Sequence, residues 1–443
     1  MEYTKEYFDK CKKLAENGDL FSKYELGYFY FYGSMVPENQ SMAINIWKEA
    51  AESKLVEAQN TLGYCYLQGM GVEKDVHLAI NWFEKAALNN SADALGNLGD
   101  IYFHGNGVIP DCQKGMDYWY KAAKLNDAQS QYNIAITLYN GTNGIQKNLE
   151  EAVYWFEKAA DQGHLESCAV LGYCYENGEG TTKNYEKAVL WYRKGAELGH
   201  DGAQLNLANC YSSGRGVPKD DGLAVEWWKK SADQGNTTAM FNLGDAYHFG
   251  DGVEKDDKMA YHYFELSSDY IGSLFRLGVM CYAPGQFHNP EKAVSIFKSV
   301  IQKAENDSNY REYVIRSKKL LGECYYSGNG IMQDFNKAFE LFLECANEKN
   351  VSAFFSLAEC YRLGEGTTRD YFQAQKYYYL VYNAVLSMDS QPDAHEVDIL
   401  RVSCRFLGLF QQRNKKIDEA INYWKIGAKY GDQECVKFLN SQP

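Results

Sequence analysis

Two apolar patterns alternate along the chain. The first is a stripe at four-residue spacing, small residue, Leu, Tyr, as in Ala58, Leu62, Tyr66 and again in Ala203, Leu207, Tyr211. Residues four apart share one side of a helix, so the stripe predicts a helix with a single buried face. The second pattern is Ala, an aromatic residue three or so positions on, then Lys-Ala-Ala, as in Ala79, Trp82, Ala86 and in Ala152, Trp155, Ala159. It predicts a second helix. Between the two lies a Gly-x-Gly turn such as Gly69 to Gly71, where glycine tolerates the left-handed conformation that ends a helix.

The two patterns recur as a unit. The segment AQNTLGYCYLQGMGVEKDVHLAINWFEKAA from Ala58 returns as ALGNLGDIYFHGNGVIPDCQKGMDYWYKAA from Ala94 and as AMFNLGDAYHFGDGVEKDDKMAYHYFEL from Ala239. The small residue after the Leu falls at Gly27, Gly63, Gly99, Ala135, Gly172, Ala208, Gly244, Gly278, Gly322, Ala358 and Gly408, spaced 36 or 37 apart as far as Gly244 and then 34, 44, 36 and 50. The position four before the Leu is only Ala or Ser in all eleven units, from Ser22 to Ser403, as close helix packing requires. Self-similarity at this period predicts an all-α solenoid of about eleven antiparallel helix pairs. Residues 1–22 read as an amino-terminal capping helix, 23–270 as seven regular repeats, 271–385 as three less regular ones, and 386–443 as a last repeat with a carboxyl-terminal cap. Residues 305–316 and 386–398 lengthen two connections and read as extended helix plus surface loop.

The pattern A-x-x-x-L-G-x-x-Y-x-x-G-x-G-V followed by A-x-x-W-x-x-K-A-A resembles the Sel-one-like repeats, a subclass of the tetratricopeptide-type helical repeats, and covers most of residues 20–380. The resemblance implies a right-handed superhelix, first helices lining a concave side, and a role in protein–protein interaction without chemistry of its own. Two departures stand out. The eighth unit replaces the Gly-x-Gly turn with Ala283 to Pro290, and the last unit lacks the turn and reads more like an ordinary tetratricopeptide repeat.

Composition changes this picture little. Among 443 residues there are 36 Tyr and only 7 Pro, a mixture rich in aromatic core material, so disorder is not expected. A net charge of -14 argues against nucleic acid or an anionic membrane as partner and suggests a basic one. No run of some 18 apolar residues occurs and the start is polar, so neither membrane insertion nor a secretory signal is expected. Of the twelve cysteines, Cys65, Cys174, Cys210, Cys324 and Cys360 occupy one slot in five repeats and no CxxC exists. They read as buried free thiols in a reducing, cytoplasmic setting, without metal or other cofactor.

Catalysis finds little footing. No histidine has metal-site or triad spacing, and Ser295 with Lys298 matches S-x-x-K without its companion motifs. A hydrolase of the kind proposed for some bacterial members of the resembled family is therefore one alternative, and a secreted or periplasmic binding protein, its signal removed, is another. A non-catalytic scaffold or adaptor is the favoured reading.

On the helical wheel, residues two before, two after and five after the Leu lie away from the core stripe. This places Tyr24, Tyr28, Phe31, Tyr64, Asp100, Phe103, Tyr132, Tyr173, Asn209, Phe241 and Asp245 on the concave row, with Tyr139, Phe275, Glu323, Tyr326, Phe355 and Glu359 further along. Asn97, Asn133, Asn206 and Asn242 each precede the Leu, or Ile134. They resemble the asparagine ladder with which some tetratricopeptide superhelices hold a peptide backbone, since an amide both donates and accepts. So many aromatics on one face mark an interaction surface, against the alternative that curvature buries part of the row.

Overall fold

The computed structural model describes residues 4–388 and 390–441, and among these are 24 α-helices, one 3-10 turn and no strand. They form two compact units, Met1–Asn236 and Thr237–Pro443. Unit 1 holds α1 (Lys5–Glu16) and six antiparallel pairs: α2 (Leu20–Tyr32) and α3 (Gln40–Glu52), α4 (Val56–Gln68) and α5 (Val76–Ala87), α6 (Ala92–His104) and α7 (Cys112–Lys124), α8 (Ala128–Asn140) and α9 (Leu149–Asp161), α10 (Leu165–Asn177) and α11 (Tyr185–Glu197), α12 (Asp201–Ser213) and α13 (Asp221–Asp233). Unit 2 holds five pairs and a closing helix: α14 (Thr237–Phe249) and α15 (Asp257–Leu266), α16 (Ile271–Tyr282) and α17 (Pro290–Ala304), α18 (Arg311–Ser327) and α19 (Phe335–Asn347), α20 (Val351–Leu363) and α21 (Tyr371–Leu386), α22 (Ala394–Arg413) and α23 (Ile417–Lys429), then α24 (Gln433–Asn440). The boundary at Asn236 falls inside the stretch 23–270 that sequence regularity groups together. Regular spacing records how alike the repeats are, not where contacts are dense.

The small-residue slot is the rule the sequence states most clearly. Ser22, Ala58, Ala94, Ser130, Ser167, Ala203, Ala239, Ser273, Ser317, Ala353 and Ser403 are all buried. The small residue after the Leu has an equally definite job, which is to seat one aromatic ring of the second helix. A Cβ on Gly63 would stand 2.6 Å from the Phe83 ring, and one on Gly172 2.5 Å from Tyr192. Gly99 and Gly408 seat Trp119 and Trp424 in the same way.

In the repeats of Trp82, Trp155 and Trp191 the seated ring is one position further along the second helix than the tryptophan of the motif. Phe83, Phe156 and Tyr192 are its fully buried rings, each one position after Trp82, Trp155 and Trp191. Trp82 is buried and Trp155 and Trp191 are half-buried, and two of them carry the lysine of the motif: the ammonium of Lys85 lies 3.8 Å from the Trp82 ring, and that of Lys194 5.1 Å from Trp191, a cation–π contact.

Both ends are covered. Phe8, Cys11 and Ala15 of α1 are buried, with Phe8 edge-on to Phe29 at 5.1 Å. At the other end Cys435 of α24 is buried and Phe438 meets Trp424 at 5.1 Å. Residues 1–3 and 442–443 of the two expected caps lie outside the described residues. The two long connections become extra helix. A 3-10 turn (Ser308–Tyr310) leads into the 17-residue α18, while α21 runs to 16 residues and α22 to 20 behind a capping box of Asp393 and Glu396. Residue 389 of the second connection is outside the described residues.

Several first helices start on side-chain caps, whereas α4, α16 and α18 have none. Asp19, Ser91 and Asp127 accept from the backbone of α2, α6 and α8. In α10 and α12 the cap is instead an imidazole nitrogen, of His164 and His200. All twelve cysteines are free and eleven are buried. Burial pushes the buried thiols up, Cys65 to about 11 and Cys174 and Cys360 to about 12, so these are poor nucleophiles at neutral pH.

Candidate functional site

Successive first helices touch one another directly, α4 with α6, α6 with α8 and α10 with α12 in unit 1, and α14 with α16, α16 with α18 and α20 with α22 in unit 2. Side chains off the core stripe of these helices therefore line a strip within each unit. On it Tyr64 and Tyr173, two residues after the Leu, are 46% and 45% exposed. Tyr24 and Tyr28 are half-buried and joined hydroxyl to hydroxyl at 2.9 Å, and the Tyr24 hydroxyl also meets Thr61 of the next repeat at 3.1 Å. Tyr28 stacks on Tyr32, an exposed ring that the wheel did not select. Tyr132 and Phe241 are half-buried, Phe241 against Tyr270 at 5.2 Å.

Phe31 and Phe103 are not part of the strip. They are 4% and 5% exposed, packed on Trp47 at 5.2 Å and Trp119 at 4.5 Å within their own repeats. A residue five after the Leu sits where the helix meets its antiparallel partner near the turn, so a wheel drawn for an isolated helix sends it the wrong way. Phe275 is likewise buried, beside Tyr313.

The asparagine row ties repeats together. Asn97 donates to Asn60 at 3.4 Å, and Asn133 donates at 3.2 Å to Asp100, which also accepts from the Trp119 indole at 3.0 Å. Asn209 accepts from the Trp228 indole at 3.0 Å. Asn206 and Asn242 are half-buried. Part of the amide capacity expected for a peptide backbone is thus spent between neighbouring first helices. Burial holds the Asp100 carboxyl above its ordinary range against the indole bond.

Most carboxylates on the strip already have a cation. Asp245 pairs with Arg276 at 2.9 Å, Glu323 with Lys319 at 2.7 Å, Glu359 with Arg362 at 2.5 Å and Glu176 with Arg215 at 2.7 Å. In unit 2 the strip deepens into a hollow of about 420 Å³, lined by Tyr282, Tyr326 and Phe355 with Glu323, Glu359 and His395. His395 Nε2 lies 3.1 Å from Ser352 Oγ. Lys319, Ser352 and His395 were missed from sequence; only the i,i+4 spacing of Lys319 and Glu323 hinted at them. With its carboxylates paired, the hollow selects no charge.

Ser295 and Lys298 both lie exposed on α17, the Lys298 ammonium 5.7 Å from the Tyr325 ring. Among the described residues no group of three or more His, Cys, Asp or Glu could hold a metal ion, and no helix is long and apolar enough to cross a membrane.

The model of the Sel1 repeat matches ten times in succession, at residues 21–55, 56–91, 92–127, 128–164, 165–200, 202–236, 237–269, 272–299, 318–350 and 352–380. The chain belongs to the Sel1 repeat family. Its helix pairs, buried small-residue slot and Gly-x-Gly turns are those of a Sel1 solenoid. The crystal structure of a protective antigen of uropathogenic Escherichia coli strains with this fold superposes with a TM-score of 0.72 at 25% identity, over 98% of this chain and 97% of that one. Two curated relatives are components of an ERAD-associated E3 ubiquitin-protein ligase of Arabidopsis thaliana. HRD3B is 30% identical over 28% of this chain and 16% of its own length, and HRD3A 34% identical over 13% and 9%. The chain thus spans less than a fifth of either relative.

Proposed function

We propose that this Sel1 repeat protein is a non-catalytic interaction scaffold, and that the first-helix strip of unit 1 holds a peptide segment or protein surface of its partner. The observation that carries the reading is the pair of exposed tyrosines, Tyr64 and Tyr173, on a strip whose other wheel-selected rings are half-buried or buried. A tyrosine held out by a rigid helix loses little entropy on binding and brings both apolar area and a hydroxyl. The role of the two curated relatives, components of an E3 ubiquitin-protein ligase, supports a part in assembly.

The net charge of -14 favours a basic partner by long-range attraction. Because the strip's own carboxylates are paired, short-range ion pairs contribute little and raised salt weakens binding only modestly. Twelve free cysteines favour a reducing, cytoplasmic location.

The test is site-specific photo-crosslinking. A crosslinker at Tyr64 or Tyr173 captures a partner that one at Tyr154 or Leu190, exposed on the second helices, does not. Capture from the second helices alone would move the site to the opposite face.

A further inference from the structure

An N-cap side chain must accept a hydrogen bond from the first turn of its helix. Asp, Asn and Ser do so at any physiological pH, but an imidazole does so only through an unprotonated nitrogen. In α10 that nitrogen is His164 Nδ1, 3.4 Å from the Ser167 amide and 3.1 Å from its hydroxyl. The Nε2–H then points to Gln129 Oε1 at 3.4 Å, and Gln129 donates in turn to Asn133 at 2.9 Å. The ring lies flat on Tyr132, centroids 4.6 Å apart and planes 26° apart. The side chain is 13% exposed. One histidine thus caps α10, stacks on a tyrosine of the strip and reaches an asparagine of the ladder.

A second acceptor waits beside it. Glu166 Oε2 lies 3.5 Å from the same Nδ1. We propose that His164 is a pH-sensitive cap: neutral, it accepts from Ser167 and holds the first turn of α10, while protonated, it gives Nδ1–H to Glu166 and leaves that turn open, disturbing its stack on Tyr132. The helix N-terminus itself repels an added positive charge.

The groups facing the ring are Glu166 on α10 and, from the preceding repeat, Asp127 at the start of α8, with Tyr132 and the neutral Gln129 on α8. Burial holds His164 below its ordinary value of 6.5, while Glu166 and Asp127 pull the other way. A histidine depressed in the folded state contributes fully above 6.5, and its contribution is lost as pH falls below that value toward the folded one. The window lies on the acid side of neutrality.

The test is an NMR titration of the full chain from about pH 8 to about pH 5. The His164 ring should titrate below 6.5, the Tyr132 ring signals should move with the same midpoint, and protection of the Ser167 amide against exchange should fall on the order of ten-fold. His164→Asn, which caps without titrating, should keep that protection flat. Glu166→Gln should lower the midpoint further. His200→Asn, which changes the cap of α12 only, should leave all three signals as they are. A midpoint at or above 6.5, a pH-independent Ser167 amide in the native chain, or the same acid loss in His164→Asn overturns the proposal. The first two are read without any variant.

One consequence rests on the binding role given to the strip: partner affinity should fall on acidification in the native chain and not in His164→Asn. If the titration behaves as stated and affinity does not respond, Tyr132 is not a binding residue and the cap stands.

Discussion

At the scale of single residues, the fold is set by which side chains are kept small. The Ala-or-Ser slot was fully legible because helical spacing alone identifies it, and all eleven occupants are buried. The seat for the second-helix ring was not, because Trp82 and Phe83 are adjacent and both apolar, and only the crossing of the two helices decides which ring faces Gly63. Gly63→Ala should therefore cost about 1–3 kcal/mol by overpacking against Phe83. Ala135→Gly, where the repeat already accommodates a methyl against Phe156, should cost only about 1 kcal/mol of helix propensity. Equal losses in urea denaturation would contradict the seat. A second residue-scale rule escaped the sequence. Gln131 and Gln204 are buried, donate to the preceding second helix at Ala123 and Ala196, and accept from Gln162 and Gln234 at 2.8 Å. Gln59 donates likewise to Ala51, but its Oε1 is buried without a partner, and Asn89 stands where the other two repeats have Gln. Asn89→Gln is one methylene longer and should supply that donor, raising stability by about 1 kcal/mol. An unchanged or lower urea midpoint would show that the amide does not reach.

At the scale of helices and turns, the wheel failed at Phe275, two before its Leu, and more systematically at the position five after the Leu. The residue five after the Leu looks outward on a lone helix, yet here it meets its own second helix, the turn of the next repeat, or both. In four repeats its partner at the turn is the middle residue of Gly-x-Gly, and the two are matched in chemistry. Phe31 shares an apolar cluster with Met70, the Tyr139 hydroxyl donates to Glu179 at 2.5 Å, Glu176 pairs with Arg215 at 2.7 Å, and Tyr326 donates to Glu365. That pairing spans about one repeat and could be read only once the stacking was known. A double-mutant cycle of Tyr139→Phe with Glu179→Ala should show a coupling of about 1 kcal/mol. A coupling near zero would mean that the turn residue is matched by chance. The long connections were legible as helix plus loop, since 305–316 and 386–398 carry helix-forming residues around few breakers. Their exact ends were not, because caps such as Asp393 with Glu396 are visible only in place.

At the scale of the whole molecule, the sequence told how many helix pairs there are and not how the strip of first helices is finished. The aromatic row divides by exposure. Tyr64 and Tyr173 stand out, Tyr24, Tyr28, Tyr132 and Phe241 are half-buried, and Phe31 and Phe103 belong to the core. The acidic row is mostly neutralised by cations such as Arg276 and Lys319, which lie one repeat or one helical turn away and carry no signal of pairing in a linear reading. In the function proposed above, the exposed tyrosines of the strip bind a partner while the buried stripe only holds the array together. The most direct measurement of this is calorimetric titration of the crosslinked partner, once identified, into the native chain, the double variant Tyr64→Ala with Tyr173→Ala, and the core variant Leu62→Ala. The double variant should lose on the order of 2 kcal/mol of binding per hot-spot tyrosine with its helical content intact, and Leu62→Ala should lose about 2–5 kcal/mol of stability instead. Unchanged affinity in a fully helical double variant would contradict the account.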